Sequence, residues 1–295
     1  MTDQFTKQID DFVKLQTFIL KKQKNGEQFF IGRLSGNETR FVGDILSGQS
    51  VSPDLFRNML YGAGITFANA EDIELYIQLY DISVSHCDML GVWEGNMKMQ
   101  AANYYRHLTS EHAKITQIAA QALEPYYYMD SMRYHFHTIF ENKRVLIISS
   151  HCETVKAQLE KQSNIFKKSI FHESTQFLVY KPPQQNGGSH DGRSWVEHAD
   201  KMKCDLHDIK HKVFNFDIAL VSCGGFGMIL SDYIFSELKS SVMYVGGALQ
   251  IYFGIMGQRW SSNERIKRHM NSEWVRPMEK DKPKNPNLCE NNCYW

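Results

Sequence analysis

Residues 216–260, FDIALVSCGGFGMILSDYIFSELKSSVMYVGGALQIYFGIMGQRW, constrain the fold more than any other part of the chain. They read as two strand–glycine loop–helix units in tandem. An apolar strand over 216–222 runs into Cys223-Gly224-Gly225-Phe226-Gly227 and a helix. A second strand over 242–245 runs into Gly246-Gly247 and a helix ending at Gly254. Alternation of this kind builds a parallel α/β sheet, because parallel neighbours need a crossover connection. A glycine turn that opens a helix after a strand also exposes unpaired backbone N–H groups, with the positive end of the helix dipole behind them. Two such loops at adjacent strand ends point to a ligand with two charged groups, such as a pyrophosphate. Arg259 offers a forked guanidinium to clamp it. The alternative is that these glycines only permit tight turns. No Gly-Lys-Ser/Thr follows either loop, so neither is a P-loop, and CGGFG is not the GxGxxG dinucleotide fingerprint.

The alternation extends upstream. Residues 4–24 carry helical apolar spacing (Phe5, Ile9, Phe12, Leu15, Phe18, Ile19), and Asn25-Gly26 stops that helix. Residues 28–34 read as a buried strand running into Ser35-Gly36-Asn37-Glu38, with a helix over 39–46. Ser52 and Pro53 begin another helix as cap and first residue. Helices are expected over 70–80 and 103–123, with a strand-like DISVSHCD at 81–88. The run RVLIISS at 144–150 is a buried parallel strand delivering a loop, followed by a helix over 154–166. A strand at 177–180, a polar loop at 184–194 and a helix over 195–213 lead back to the glycine units. After Trp260 come a basic helix and a Pro- and Asn-rich tail that should drape over the body. The fold expected is a Rossmann-like α/β architecture, a mostly parallel sheet flanked by helices, with added N-terminal helices and an extended C-terminal tail. Residues 1–140 form its N-terminal α/β half and 141–295 its donor-binding half plus tail, together one unit.

Composition excludes several classes. Lys plus Arg equals Asp plus Glu, 33 each, so no basic field argues for nucleic acid. No apolar run is long enough to span a bilayer, and the amphipathic start has no signal-peptide core; a cytoplasmic location is expected. Six dispersed cysteines then read as free thiols. Cys289 and Cys293 form a C-x3-C pair, but two further soft ligands at zinc spacing are missing, so no structural metal is expected there. His135 and His137 alternate as on a strand face and lack a third ligand. No GxSxG hydrolase order is present.

The pieces Ile31-Gly32-Arg33-Leu34-Ser35-Gly36-Asn37-Glu38, VLIIS at 145–149, Asp217 through Gly227, GGALQIYFGIMGQRW at 246–260 and the ending ENNCYW occur in a recognisable order. In this the chain resembles a family assigned as glycosyltransferases, encoded in bacterial capsule and surface-polysaccharide loci and in large DNA viruses. The similarity covers nearly the whole chain. The R-x-x-G-x-E element, Arg33 to Glu38, also looks like that of GT-D-fold glycosyltransferases, whose Asp-x-Glu motif holds Mn2+ or Mg2+ for a nucleotide-sugar. Here Gly36 stands at the Asp position and only Glu38 of the pair remains. The resemblance implies a nucleotide-sugar donor, a UDP- or GDP-sugar such as a UDP-hexose or UDP-xylose. It implies an oligosaccharide or glycoprotein glycan as acceptor.

Sugar transfer needs a stabilised leaving diphosphate, a carboxylate near the reacting hydroxyl, and a polar and aromatic cradle for the sugar. For the diphosphate the candidates are Arg33, Gly36, Ser149, Gly224, Gly225, Gly227, Gly246, Gly247 and Arg259. For the carboxylate they are Glu38, Asp88 and Glu94, and for a sugar platform Trp93. Each has a plainer reading: salt-bridged surface arginines, a first-turn helix acid at Glu38, a core tryptophan at position 93. A nucleotide-dependent oxidoreductase and a non-catalytic nucleotide-sugar-binding scaffold are the rival functions.

Overall fold

The computed structural model describes residues 2–295, with side chains from Phe5 onward. Seven strands are all parallel: β1 (Phe30–Arg33), β2 (Met89–Val92), β3 (Thr116–Ala119), β4 (Arg144–Ser149), β5 (Gln176–Tyr180), β6 (Ile218–Ser222) and β7 (Ser241–Tyr244), in the order β3-β2-β1-β7-β6-β4-β5. Among the described residues the α-helices are α1 (Thr2–Lys24), α2 (Asn37–Leu46), α3 (Pro53–Asn58), α4 (Ala70–Ser85), α5 (Asn96–Gln100), α6 (Ala102–Glu111), α7 (Cys152–Leu159), α8 (Gln162–Ile165), α9 (Trp195–Asp208), α10 (Gly227–Ser236), α11 (Leu249–Tyr252) and α12 (Glu264–Lys267). The expected α/β class is therefore what forms, and every pairing is parallel. Because β1 pairs with β7, residues 1–140 and 141–295 share one sheet.

Alternate strand residues feed two cores. Ile31, Val145, Ile147, Ile218, Leu220 and Met243 face one layer with α1, α7 and α11. Phe30, Leu146, Ile148, Ala219, Val221 and Val242 face the other, with α2, α4, α6, α9 and α10. Connections over the second layer always step toward the β3 edge, and those over the first toward the β5 edge. A single crossover handedness requires this. The helix ends follow local chemistry. Gly26 takes φ +70° after α1, and Ser52 accepts the Leu55 N–H at 3.3 Å with Pro53 at the first position of α3. Ser194 and Glu197 close a reciprocal capping box on α9.

Four segments depart from expectation. Residues 81–85 complete α4, since Tyr76, Ile77, Tyr80, Ser83 and Val84 bury one helical face; the strand begins only at Met89. Helix α6 stops at Glu111, and Thr116–Ala119 forms the edge strand β3 instead of prolonging it. The helix after β4 is shorter than expected and divided between α7 and α8. His135 and His137 lie at a 3-10 turn over Phe136–Phe140, where the His137 ring stacks on His172.

Candidate functional site

Adjacent strands β1 and β7 send their following helices to opposite layers: α2 packs on one face and α11 on the other. Open α/β sheets bind ligands at such a switch point, outside the carboxyl ends of the strands. A cleft of about 570 Å³ lies there. Its walls come from the loops after β1, β2, β3, β4, β6 and β7 and from the C-terminal tail.

Arg33 ends β1 and is only 7% exposed, enclosed by a ring of partners. The guanidinium donates to the Val245 carbonyl and to Glu124 Oε1, and lies 4.7 Å from the Trp93 ring centroid. Trp93 is held by its indole N–H on the Leu34 carbonyl at 2.7 Å. Glu124, itself buried, accepts the Tyr126 hydroxyl at 3.0 Å on its other oxygen. Arg33 is thus a strut between β1, β7 and the segments after β2 and β3, already neutralised by a carboxylate.

Glu38 stands in the first turn of α2 and lines the cleft. Among the described residues no lysine or arginine forms an ion pair with it. Burial pushes its pKa above the usual carboxylate value, and nearby Glu290 adds to the rise. A carboxylate tuned upward in a cleft is what proton abstraction from a hydroxyl uses.

The glycine loops divide into two kinds. Gly224 and Gly246, at φ +56° and +66°, line the cleft, as do Gly36 and Gly247. Gly225 and Gly227 do not; they are spacers. The Gly225 carbonyl accepts the Tyr76 hydroxyl at 2.9 Å, and a Cβ on Gly227 would sit 2.1 Å from the Tyr244 ring. Gly227→Ala is therefore expected to lose about 1–3 kcal/mol of stability by overpacking, measured by urea unfolding.

The tail closes the cleft's rim. Asp281 is fully buried and accepts the N–H groups of Glu153 and Thr154 at 3.1 and 2.8 Å and the Thr154 hydroxyl at 2.6 Å. That anchors the tail on the start of α7. Glu290, Asn291 and Asn292 then take consecutive left-handed conformations, φ 46°, 54° and 65°. This uncommon turn aims Tyr294 and Trp295 inward: Tyr294 packs on Gly247, and Trp295 stacks on His151 at 5.5 Å. Arg259 donates to Glu290 and to the Tyr294 hydroxyl, so it too carries a carboxylate partner. Asp281→Ala is expected to cost about 3 kcal/mol and to make the tail the first site of limited proteolysis.

His151 also lines the cleft. Burial pushes its pKa down to about 4, so it is neutral at pH 7, and its Nε2 is buried without a hydrogen-bond partner.

Besides Gly225 and Gly227, three residues expected at the site lie elsewhere. Asp88 precedes β2, at the amino edge of the sheet, because the strand starts at Met89; it accepts the Phe30 N–H at 2.9 Å and pairs with Lys22 at 3.3 Å. Glu94 leaves the right end of β2 but turns outward to Lys7 at 2.5 Å and does not line the cleft. Ser149 is buried, its Oγ accepting the His151 N–H at 3.1 Å, and Ser150 reaches the cleft in its place. Conversely, Glu124 and Asn263 line the cleft without any local sequence signal. Glu290, Tyr294 and Trp295 were marked only by the ending ENNCYW.

The donor set does not fit a resident Mn2+ or Mg2+ in this arrangement. Such ions take several oxygen ligands. Gly36 offers no carboxylate, Glu124 is committed to Arg33 and Tyr126, and Glu290 to Arg259. Glu38 alone is free of a cation.

No family model, curated protein or solved structure matches the chain. No helix among the described residues is long and apolar enough to cross a membrane.

Proposed function

We propose that this cleft transfers a sugar from a nucleoside diphosphate sugar, a UDP- or GDP-sugar, to a glycan acceptor. What supports the reading is the convergence on one switch-point cleft of Glu38, the glycine loops at Gly224 and Gly246, Arg259 and the Trp93 face. The N–H groups of the two loops and Arg259, released from Glu290, meet the departing diphosphate. Glu38 takes the proton of the attacking hydroxyl, and the aromatic walls hold the sugar rings. Arg33 positions Trp93 and does not meet the phosphate. No step runs through a metal.

Thermal-shift screening tests this with UDP-sugars, GDP-mannose, UDP and NAD, each with and without manganese, followed by a donor-hydrolysis assay on the stabilising sugar. Stabilisation by a nucleotide-sugar with turnover is expected. Stabilisation by NAD alone overturns the reading in favour of an oxidoreductase. A specific observation favours one rival: both cleft arginines already carry glutamates. A non-catalytic nucleotide-sugar binder would show stabilisation without turnover, unchanged in Glu38→Gln.

A further inference from the structure

On the helical layer, away from the cleft, three side chains of different elements converge on one point. Asp81 lies near the end of α4, His107 in the last turns of α6, and His112 is the residue that follows α6. The Nε2 atoms of His107 and His112 lie 3.0 and 2.9 Å from the same oxygen, Asp81 Oδ1. The ligand atoms of all three residues lie within 4.8 Å of one another, and each residue is partly shielded from solvent.

We propose that Asp81, His107 and His112 form a binding site for a divalent transition metal of the zinc class. Three observations carry it. First, Asp81 Oδ1 is oversubscribed: the Tyr104 hydroxyl also approaches it, at 3.0 Å, giving three donors for an oxygen with two lone pairs. A cation between the carboxylate and the imidazoles relieves this, because the nitrogens then offer lone pairs and need no proton. Second, the spacing suits a metal. Two ligands each about 2.0–2.2 Å from an ion, at octahedral to tetrahedral angles, stand about 2.9–3.5 Å apart. Third, both helices present their carboxyl ends here, and the negative ends of two helix dipoles favour a cation. Two imidazoles and one carboxylate suit zinc and its neighbours over calcium or magnesium, and water completes the coordination. The site joins the two crossover helices that flank β2. It does not reach the cleft.

The test is a titration of chelator-treated, dialysed full-length protein with Zn2+ by calorimetry, and with Co2+ by visible absorption. One saturable equivalent is expected, with a Co2+ d–d band and a Tm that rises with added Zn2+. His107→Gln and His112→Gln should each weaken that equivalent at least about tenfold. His211→Gln should leave it unchanged, removing one of the exposed pair His207 and His211, whose rings lie 4.5 Å apart. If the wild-type protein takes up no saturable equivalent, or the His107→Gln and His112→Gln variants bind as wild type does, the site is a hydrogen-bond cluster only and the proposal fails. The wild-type titration decides alone should a variant not fold.

Discussion

Glu38→Gln is expected to lower turnover by about 10²- to 10⁴-fold while nucleotide-sugar binding persists, the span that removal of a positioned general base covers. The same change should stabilise the protein at neutral pH. Burial raises the Glu38 pKa, so the folded chain holds that proton more tightly than the unfolded chain does. A group of this kind favours the folded state most at low pH. Its contribution falls as pH rises from the unfolded to the folded value. Glutamine has no such penalty, so Tm of the variant should exceed wild type at pH 7. The gain should vanish below about pH 4, where the unfolded carboxyl is protonated too. Lower Tm at pH 7 together with full activity would remove Glu38 from the mechanism. The opposed signs, activity lost and stability gained, separate a working carboxylate from a structural one.

Arg33→Met is expected to cost about 3–5 kcal/mol of folding stability, because it leaves Glu124 buried without its cation. Glu124→Leu alone should cost a similar amount by stranding Arg33. The double variant should recover much of the loss, since the pair is removed whole and the site can pack apolar groups. Urea unfolding of the four proteins gives the cycle. Additive losses would mean that the two side chains act separately, contrary to their shared hydrogen bond. Because Arg33 also supports the Trp93 face, the double variant should bind the sugar donor more weakly even where its stability returns.

How much of this was legible depended on the range of the interaction concerned. The glycine units at β6 and β7, the strands β1, β4 and β5, and the Ser52-Pro53 helix start were all readable from runs of a few residues. Strands β2 and β3 were not. Strand β3 lies within the run 103–123 that reads as one helix, and the local I-S-V-S alternation at 82–85 drew the strand ahead of β2, although it belongs to the helix whose buried face extends from Tyr76 to Val84. Moving the strand start to Met89 carried Asp88 to the other edge of the sheet, so a shift of a few residues in one boundary removed a candidate base. Arg33 and Arg259 were visible as cations, but their glutamates were not, lying 91 and 31 residues away. Gly225 and Gly227 looked the same as Gly224 in sequence; all three are closely packed, against Ile65, Tyr244 and the Ala63 carbonyl, and only the fold shows that Gly224 alone of them borders the cleft.

By itself, then, the sequence determined an α/β sheet with glycine-rich loops at the ends of two neighbouring strands, because alternation of apolar runs and the freedom of glycine are local properties. The tertiary structure decided which carboxylate stays unpaired, which glycines face the cleft, that the tail's Glu290, Tyr294 and Trp295 complete its rim, and that Asp81 meets two histidines. Those are matters of ion pairing and close packing between segments far apart in the chain, and only the assembled sheet with its two helical layers brings such segments within reach of one another.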